Sequence, residues 1–355
     1  MQGTSSRSGW PRRSISGGLA SASVLLLVGV LLRGLGGPGM GTRIALFSIS
    51  LLVVLALQMF TGNSGVTSFG HIAFMALGAY GSALLTIPSP IKSTALRSLP
   101  PIVAEHQLPF VAALAIAVGF VALVAFLVGL PLSRLTGSAG AIATFAFLVV
   151  VNVVIAGMTG VTGGRRALYG VPRVTNATWA LGFAVTGVLV TRLFRDSPLG
   201  LRLRASREDE VVAQAMGVRV ANSRLVAWIL SATLAGISGV LYAHLLGAFS
   251  AQQFYLGLTI TTLAMLIVGG MTTVSGAIAG TAVLYAASEA LREVEASAGL
   301  FGLSQITIAL VLLIMMYFRP QGLLGELEAD EHLLLRRLRR SLDRPGASVP
   351  SHSEG

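Results

Sequence analysis

Residues able to do chemistry are scarce in this chain, and their positions exclude more reactions than they allow. Lysine occurs once, at Lys92, behind Ile91 in a proline-rich stretch. A phosphate-binding loop needs a lysine directly after a glycine to reach the phosphates, so ATP hydrolysis by this chain is not expected. HExxH and GxSxG are absent, and no paired carboxylates stand in a soluble setting. No catalytic residue is therefore nominated. Cysteine is absent too, which excludes disulfides, iron–sulfur clusters and thiolate metal sites. No cofactor and no metal are expected in the chain.

The densest polar stretch suggests mechanical work rather than catalysis. Between Ser197 and Gly217 stand Arg202, Arg204, Ser206, Arg207, Glu208, Asp209 and Glu210. Ser206 is placed to cap a helix whose first turn holds Glu208, Asp209 and Glu210, where acids suit the helix dipole. Gly217 is a natural stop. The apolar side of that helix carries Val211, Val212, Ala215 and Met216. A short amphipathic helix of this kind can lie on a membrane surface or dock a soluble partner.

The elements that must position this segment are apolar. Hydrophobic residues make up 54% of the 355 and charged residues only 11%, against about 25% charged in soluble domains. Ala112–Leu132 and Leu135–Gly164 contain no charge at all. Crossing the hydrocarbon core takes roughly 20 such residues. The runs are apolar all round rather than at period two, so helices are expected and a barrel is not. The net charge of +11 is almost wholly arginine. It sits between apolar runs, which points to the positive-inside rule and away from nucleic acid.

Apolar runs lie near 19–32, 44–60, 66–87, 109–130, 138–158 and 177–194, then at 224–246, 255–290 and 300–318. Arg192–Arg224 holds seven arginines, and the tail adds Arg336, Arg337, Arg339, Arg340 and Arg344. Both segments are expected in the cytoplasm, which requires an even number of crossings between them. The 255–290 run is too long for one span and is broken at Gly269-Gly270, where paired glycines weaken a helix. Splitting it restores parity and gives an all-α, polytopic membrane protein of about ten spans. The tight connector Thr61–Gly65 separates two of these spans or, as a re-entrant turn, would change the count. Arg33, Arg43, Arg165, Arg166 and Arg173 fall outside, against the trend. The expected divisions are a cytoplasmic N-terminal segment (1–18), a transmembrane domain (19–318) with a cytoplasmic coupling segment (195–224), and a basic cytoplasmic tail (319–355).

In lipid, close helix contacts depend on small residues. Gly276 and Gly280 form a GxxxG pair. Ala232, Gly236, Ser238 and Gly239 mark one face of the span after Arg224, and Gly78 with Ser82 do the same earlier. Polar residues at membrane depth either bond between helices or line a path. Asn63, His71, Thr144, Asn152 and Ser231 are the path candidates. No chain of buried acids or histidines is legible, which argues against a proton-coupled transporter.

Several stretches resemble the permease subunits of branched-chain amino-acid ABC importers, in particular the M-type subunit. They are Gly62-Asn63-Ser64-Gly65 with Ser68–Phe74 and Gly78-Ala79-Tyr80, Ala141–Phe147, Thr162-Gly163-Gly164 with Gly170-Val171-Pro172, Ser197–Gly217, Leu230–Ala243, Gly269-Gly270, and Phe318–Gly325. Their order spans about residues 45–325. The resemblance implies a fold like the vitamin B12 importer's permease. It implies that the 205–217 helix contacts an ATPase, so that ATP and magnesium are held by partner subunits. The implied partners are a second permease chain of the H type, two ATPase subunits and an extracytoplasmic binding protein, in a bacterial inner membrane. Family members carry branched-chain amino acids, broader amino acids, or urea and short amides. Departures from the family pattern, including Gly137–Gly140, Val149–Val151, Arg165, Arg166 and Ala277, cluster toward the presumed path and outer mouth. From other classes, a stand-alone secondary transporter or a membrane scaffold would match the hydropathy alone.

Overall fold

Stretches that are apolar on every side must satisfy their backbone internally, and here they do so as helices. The computed structural model describes residues 39–325 apart from 97, 300, 301 and 320, together with Glu328 and isolated positions between 18 and 37. Nearly all of the expected N-terminal segment, half of the expected span at 19–32 and the tail after 328 lie outside the described residues.

In chain order the helices are α1 (Met40–Leu57), continued by a π turn (Gln58–Gly62), α2 (His71–Thr86), α3 (Ser89–Ala95), α4 (Pro101–Glu105), α5 (Phe110–Leu132), α6 (Gly137–Gly157), the single turn α7 (Thr159–Thr162), α8 (Ala177–Asp196), α9 (Pro198–Glu208), α10 (Glu210–Ala215), α11 (Val220–Leu246), α12 (Leu256–Gly269), α13 (Val274–Ala298) and α14 (Leu303–Phe318). Two short strands, β1 (Leu168–Tyr169) and β2 (Ala248–Phe249), pair antiparallel with Leu168 opposite Phe249. Among the described residues six helices are long and apolar enough to cross a membrane. α2 and α3 form a further pair, bent by 115°, and α12 and part of α14 are shorter apolar helices. The chain is an all-α multi-pass membrane protein. The expected break in the 255–290 run is present, as the turn between α12 and α13.

The core forms around α1, α2 and α11. α11 runs along α2, α5 and α1, and α8 lies along α1. α2 and α11 are parallel: His71 faces Ser231, Gly78 faces Gly236 and Thr86 faces His244. Glycine permits this approach. A Cβ at Gly78 would overlap the Gly236 carbonyl oxygen, and one at Gly239 would overlap that of Met75. The Gly276/Gly280 pair works in the same way, since a Cβ at Gly280 would overlap the Met265 carbonyl oxygen and lie 2.5 Å from the Gly269 nitrogen. Lipid supplies little hydrophobic drive between helices, so backbone contacts of this kind hold the bundle. α5 and α6 contribute few buried residues and turn broad apolar faces outward.

The parity expectation has a geometric counterpart. The π turn, the Arg192–Glu208 stretch, the α12–α13 turn, residues 321–325 and Glu328 meet at one end. Arg207 donates to the Gly62 carbonyl at 2.9 Å, Arg195 to that of Thr272 at 3.2 Å, and the Leu323 amide to that of Val268 at 2.9 Å. The β1–β2 pair and the α3–α4 region occupy the opposite end. There Lys92 is buried, donates to the Val103 and His106 carbonyls at 2.8 and 2.7 Å, and has its ammonium pKa pushed down by desolvation. Two arginines at that end have partners. Arg43 pairs with Glu289 at 3.0 Å and Glu293 at 2.7 Å, and Arg173 donates to the Leu246 carbonyl at 3.1 Å. The Arg43 pairs are solvent-exposed, so Arg43→Ala is expected to leave the melting temperature of the purified protein unchanged.

One expectation is corrected. Residues 205–217 do not form one helix capped by Ser206. Pro198 favours the first helical position and Ser197 accepts from the Gly200 amide at 3.1 Å, so α9 starts earlier. Ser206 lies inside α9 and donates to the Leu203 carbonyl at 2.7 Å. Asp209 leaves helical geometry and caps the next helix by accepting from the Val212 amide at 2.9 Å. Gly217 is the expected stop. At φ 83° it permits bonds from its own amide to Gln214 and from Val218 to Ala213, the Schellman pattern.

Candidate functional site

The segment α9–α10 is held to the bundle by part of its charge and by Leu203, and leaves most of its large apolar residues exposed. That is the reverse of an ordinary surface helix. Leu203 is its buried anchor. Gly200 sits where a Cβ would overlap the Phe194 carbonyl oxygen, so the α8–α9 elbow is tight. Arg204 donates to the Arg195 carbonyl at 3.3 Å and Arg207 to that of Gly62 at 2.9 Å. Glu210 receives both terminal nitrogens of buried Arg224, at 2.9 and 3.3 Å, in a bidentate pair. Arg202, Glu208 and Asp209 stay exposed. Val211, Val212 and Met216 are 77%, 57% and 80% exposed, and Ala215 and Leu201 are exposed too. An apolar patch kept in place by an ionic backing marks an interaction surface.

The nominated path residues are placed differently. Three of the five meet at the turn entering α2. Ser68 bonds His71 Nδ1 at 2.8 Å, and His71 Nε2 reaches Ser231 Oγ at 2.9 Å. The Phe69 amide donates to Thr144 Oγ1 at 3.2 Å. His71 is buried against Phe60 and Trp228. Asn63 lies apart, donating to the Met59 carbonyl at 2.8 Å, with its Oδ1 buried and without a protein partner. Asn152 is half-buried and donates to the Ala251 carbonyl at 3.0 Å, joining α6 to the turn before α12. All five bond within the chain.

Two features escaped the sequence. Glu328 is 1% exposed and pairs with Arg192 at 3.0 Å and Arg195 at 3.3 Å. Its carboxylate also accepts from the Val274 amide at 2.9 Å, the Ser275 amide at 3.1 Å and Ser275 Oγ at 2.7 Å, so it caps α13. Residues 321–325 and Glu328 are thus built into the same end of the bundle as the α8–α9 elbow. No local pattern distinguishes Glu328 from the other acids near it. The second feature is a cleft of about 670 Å³ at the opposite end, with Ile87, Ile91, Leu96 and Leu168 in its wall and Arg165 and Arg166 among its lining.

Residues 40–319 match the family model described as "Branched-chain amino acid transport system / permease component". The chain is 27% identical over 339 residues to the "High-affinity branched-chain amino acid transport system permease protein LivM" of Escherichia coli (strain K12), covering 84% of this chain and 74% of that protein. It is 26% identical over 310 residues to the protein of the same name from Salmonella typhimurium (strain LT2), covering 78% and 68%. A shorter match, 30% over 136 residues, joins it to the "Probable branched-chain amino acid transport permease protein LivH" of Methanocaldococcus jannaschii, covering 38% of this chain and 42% of that protein. No solved structure matches the chain.

Proposed function

The chain belongs to the branched-chain amino acid transport permease family, and from that premise we propose that it is a translocation subunit of an ATP-driven importer of branched-chain amino acids. Its ATPases dock on α9–α10. A second permease chain and an external binding protein complete the importer, and ATP and magnesium stay with the ATPases. The observation that supports the docking reading best is the exposure of Val211, Val212 and Met216 on a helix fixed from behind by Arg207 and Glu210. The arginine-rich end that carries this segment faces the cytoplasm of a bacterial cell. Both termini lie on that side by parity.

The test is the combined change Val211→Asn, Val212→Asn and Met216→Asn. These side chains support no core, so melting should not move. Apolar anchors dominate interfaces, so co-purification with the ATPases is expected to fall about tenfold or more, a loss of at least ~1.4 kcal/mol. Full assembly and full leucine uptake in that variant would mean the patch rests on lipid instead. Competition of labelled leucine uptake by valine and isoleucine, but not by urea or acetamide, is the accompanying expectation for substrate.

A further inference from the structure

The π turn at the inner end of α1 touches the coupling segment and the α12–α13 turn at once. A π turn displaces the regular bonding of a helix, and a helix end leaves carbonyls without intrahelical partners. The Gly62 carbonyl is such a group, and its partner comes from α9: Arg207 Nη1 at 2.9 Å. The stem of Arg207 lies across Gly65. A Cβ there would sit 2.7 Å from Arg207 Cγ, and Gly65 has φ 73°. On the other side, a Cβ at Gly62 would overlap the Met271 carbonyl oxygen. Gln58 Nε2 donates to the Thr272 carbonyl at 3.4 Å, and Arg195 Nε donates to the same oxygen at 3.2 Å. The end of α1 therefore has two glycines at its contacts, and one guanidinium reaches it.

This matters because α1 is not joined in sequence to the coupling segment. α9–α10 is continuous with α8 and α11, so pushing it moves those spans directly. α1 is the most buried spanning helix described. Its sides pack along α8 and α11, and at the end nearest the coupling segment Arg207 adds a direct side-chain link from α9. We propose that Arg207 is the positioning residue that carries displacement of α9–α10 to the π turn of α1, so that the core span moves with the docked ATPase. The proposal rests on the reading of α9–α10 as the ATPase dock.

The experiment uses the complete importer in liposomes: this chain, the second permease chain, both ATPases and the binding protein. The readout is leucine taken up per ATP hydrolysed, measured on assembled complexes. Arg207→Ala removes a charge-assisted bond and is expected to lower this ratio about tenfold. A second variant separates linkage from folding. The Cβ built at Gly65 lies 3.6 Å from Arg207 Cβ, within the range a disulfide spans, and the chain has no other cysteine. Gly65→Cys with Arg207→Cys should transport with a low ratio when reduced and regain at least about half of the wild-type ratio when oxidised. A wild-type ratio in Arg207→Ala, or an equal ratio in the oxidised and reduced double variant, overturns the proposal. If Arg207→Ala does not fold, the oxidised-against-reduced comparison decides. Failure of the wild-type chain to bind the ATPases would instead sink the docking reading.

Discussion

Gly239→Ala unfolds the purified protein at a markedly lower temperature than wild type, while Gly119→Ala does not. Both changes add one methyl group to a spanning helix. At Gly239 the new carbon would overlap the Met75 carbonyl oxygen and lie 2.7 Å from its carbonyl carbon and 3.0 Å from the Ala79 nitrogen. These are backbone atoms of α2, and they cannot swing aside as a flexible side chain does. The two helices must separate along a contact that also includes Gly78 and Gly236. Overpacking costs 1–3 kcal/mol where side chains can adjust, so about 3 kcal/mol is the expected loss here. At Gly119 nothing lies within 4 Å of the added carbon. Alanine is the better helix former there by about 1 kcal/mol. Thermal unfolding in detergent checks both. Equal melting temperatures would mean that the α2–α11 crossing is not as close as described.

Glu328→Ala is the second large effect. Its carboxylate sits among Arg192, Arg195 and the first amides of α13. Asp196 also bonds Arg192 at 3.0 Å and Arg195 at 3.3 Å. Alanine removes the carboxylate that the two arginines share and leaves the α13 amides without that cap. Removing one partner of a buried pair costs 3–5 kcal/mol. Asp196 remains to hold the arginines, so the lower figure, about 3 kcal/mol, is expected. Glu328→Gln keeps an acceptor oxygen for one of the amides and should fall between. The denaturant midpoint reads the stability. Uptake should drop with it, because the α12–α13 turn and the α8–α9 elbow lose their shared clamp. An unchanged midpoint in Glu328→Ala would show that this cluster does not hold the inner end together.

How far the sequence could be read depends on how far each signal reaches. Runs of apolar residues are local, and they marked where the spanning helices lie. Arg207, Arg195 and Thr272 meeting at one end is the spatial form of the expected parity. Glycines placed for close contact were legible because only a missing side chain lets two backbones touch, as at Gly276 and Gly280. The helix start at Ser206 was misread because two residues could cap, and the proline after Ser197 decided between them. His71 reads as a path residue in isolation. Its bonds are completed by Ser68 and by Ser231, the latter 160 residues away, and such pairings are invisible along the chain. Glu328 was missed for the same reason, since its partners lie on α8 and α13. The π turn has no residue signature of its own. It shows only through the carbonyl that Arg207 takes up.

Under the proposed function, this chain passes branched-chain amino acids only as part of an ATP-driven assembly. Uptake of labelled leucine into liposomes tests it most directly. The full set is this chain, the second permease chain, the ATPases, ATP with magnesium and the binding protein, compared with sets lacking one component. Leucine should accumulate with the full set and fail to accumulate when this chain, ATP or the binding protein is left out. Accumulation by this chain alone without ATP, or unchanged accumulation when it is omitted, would contradict it.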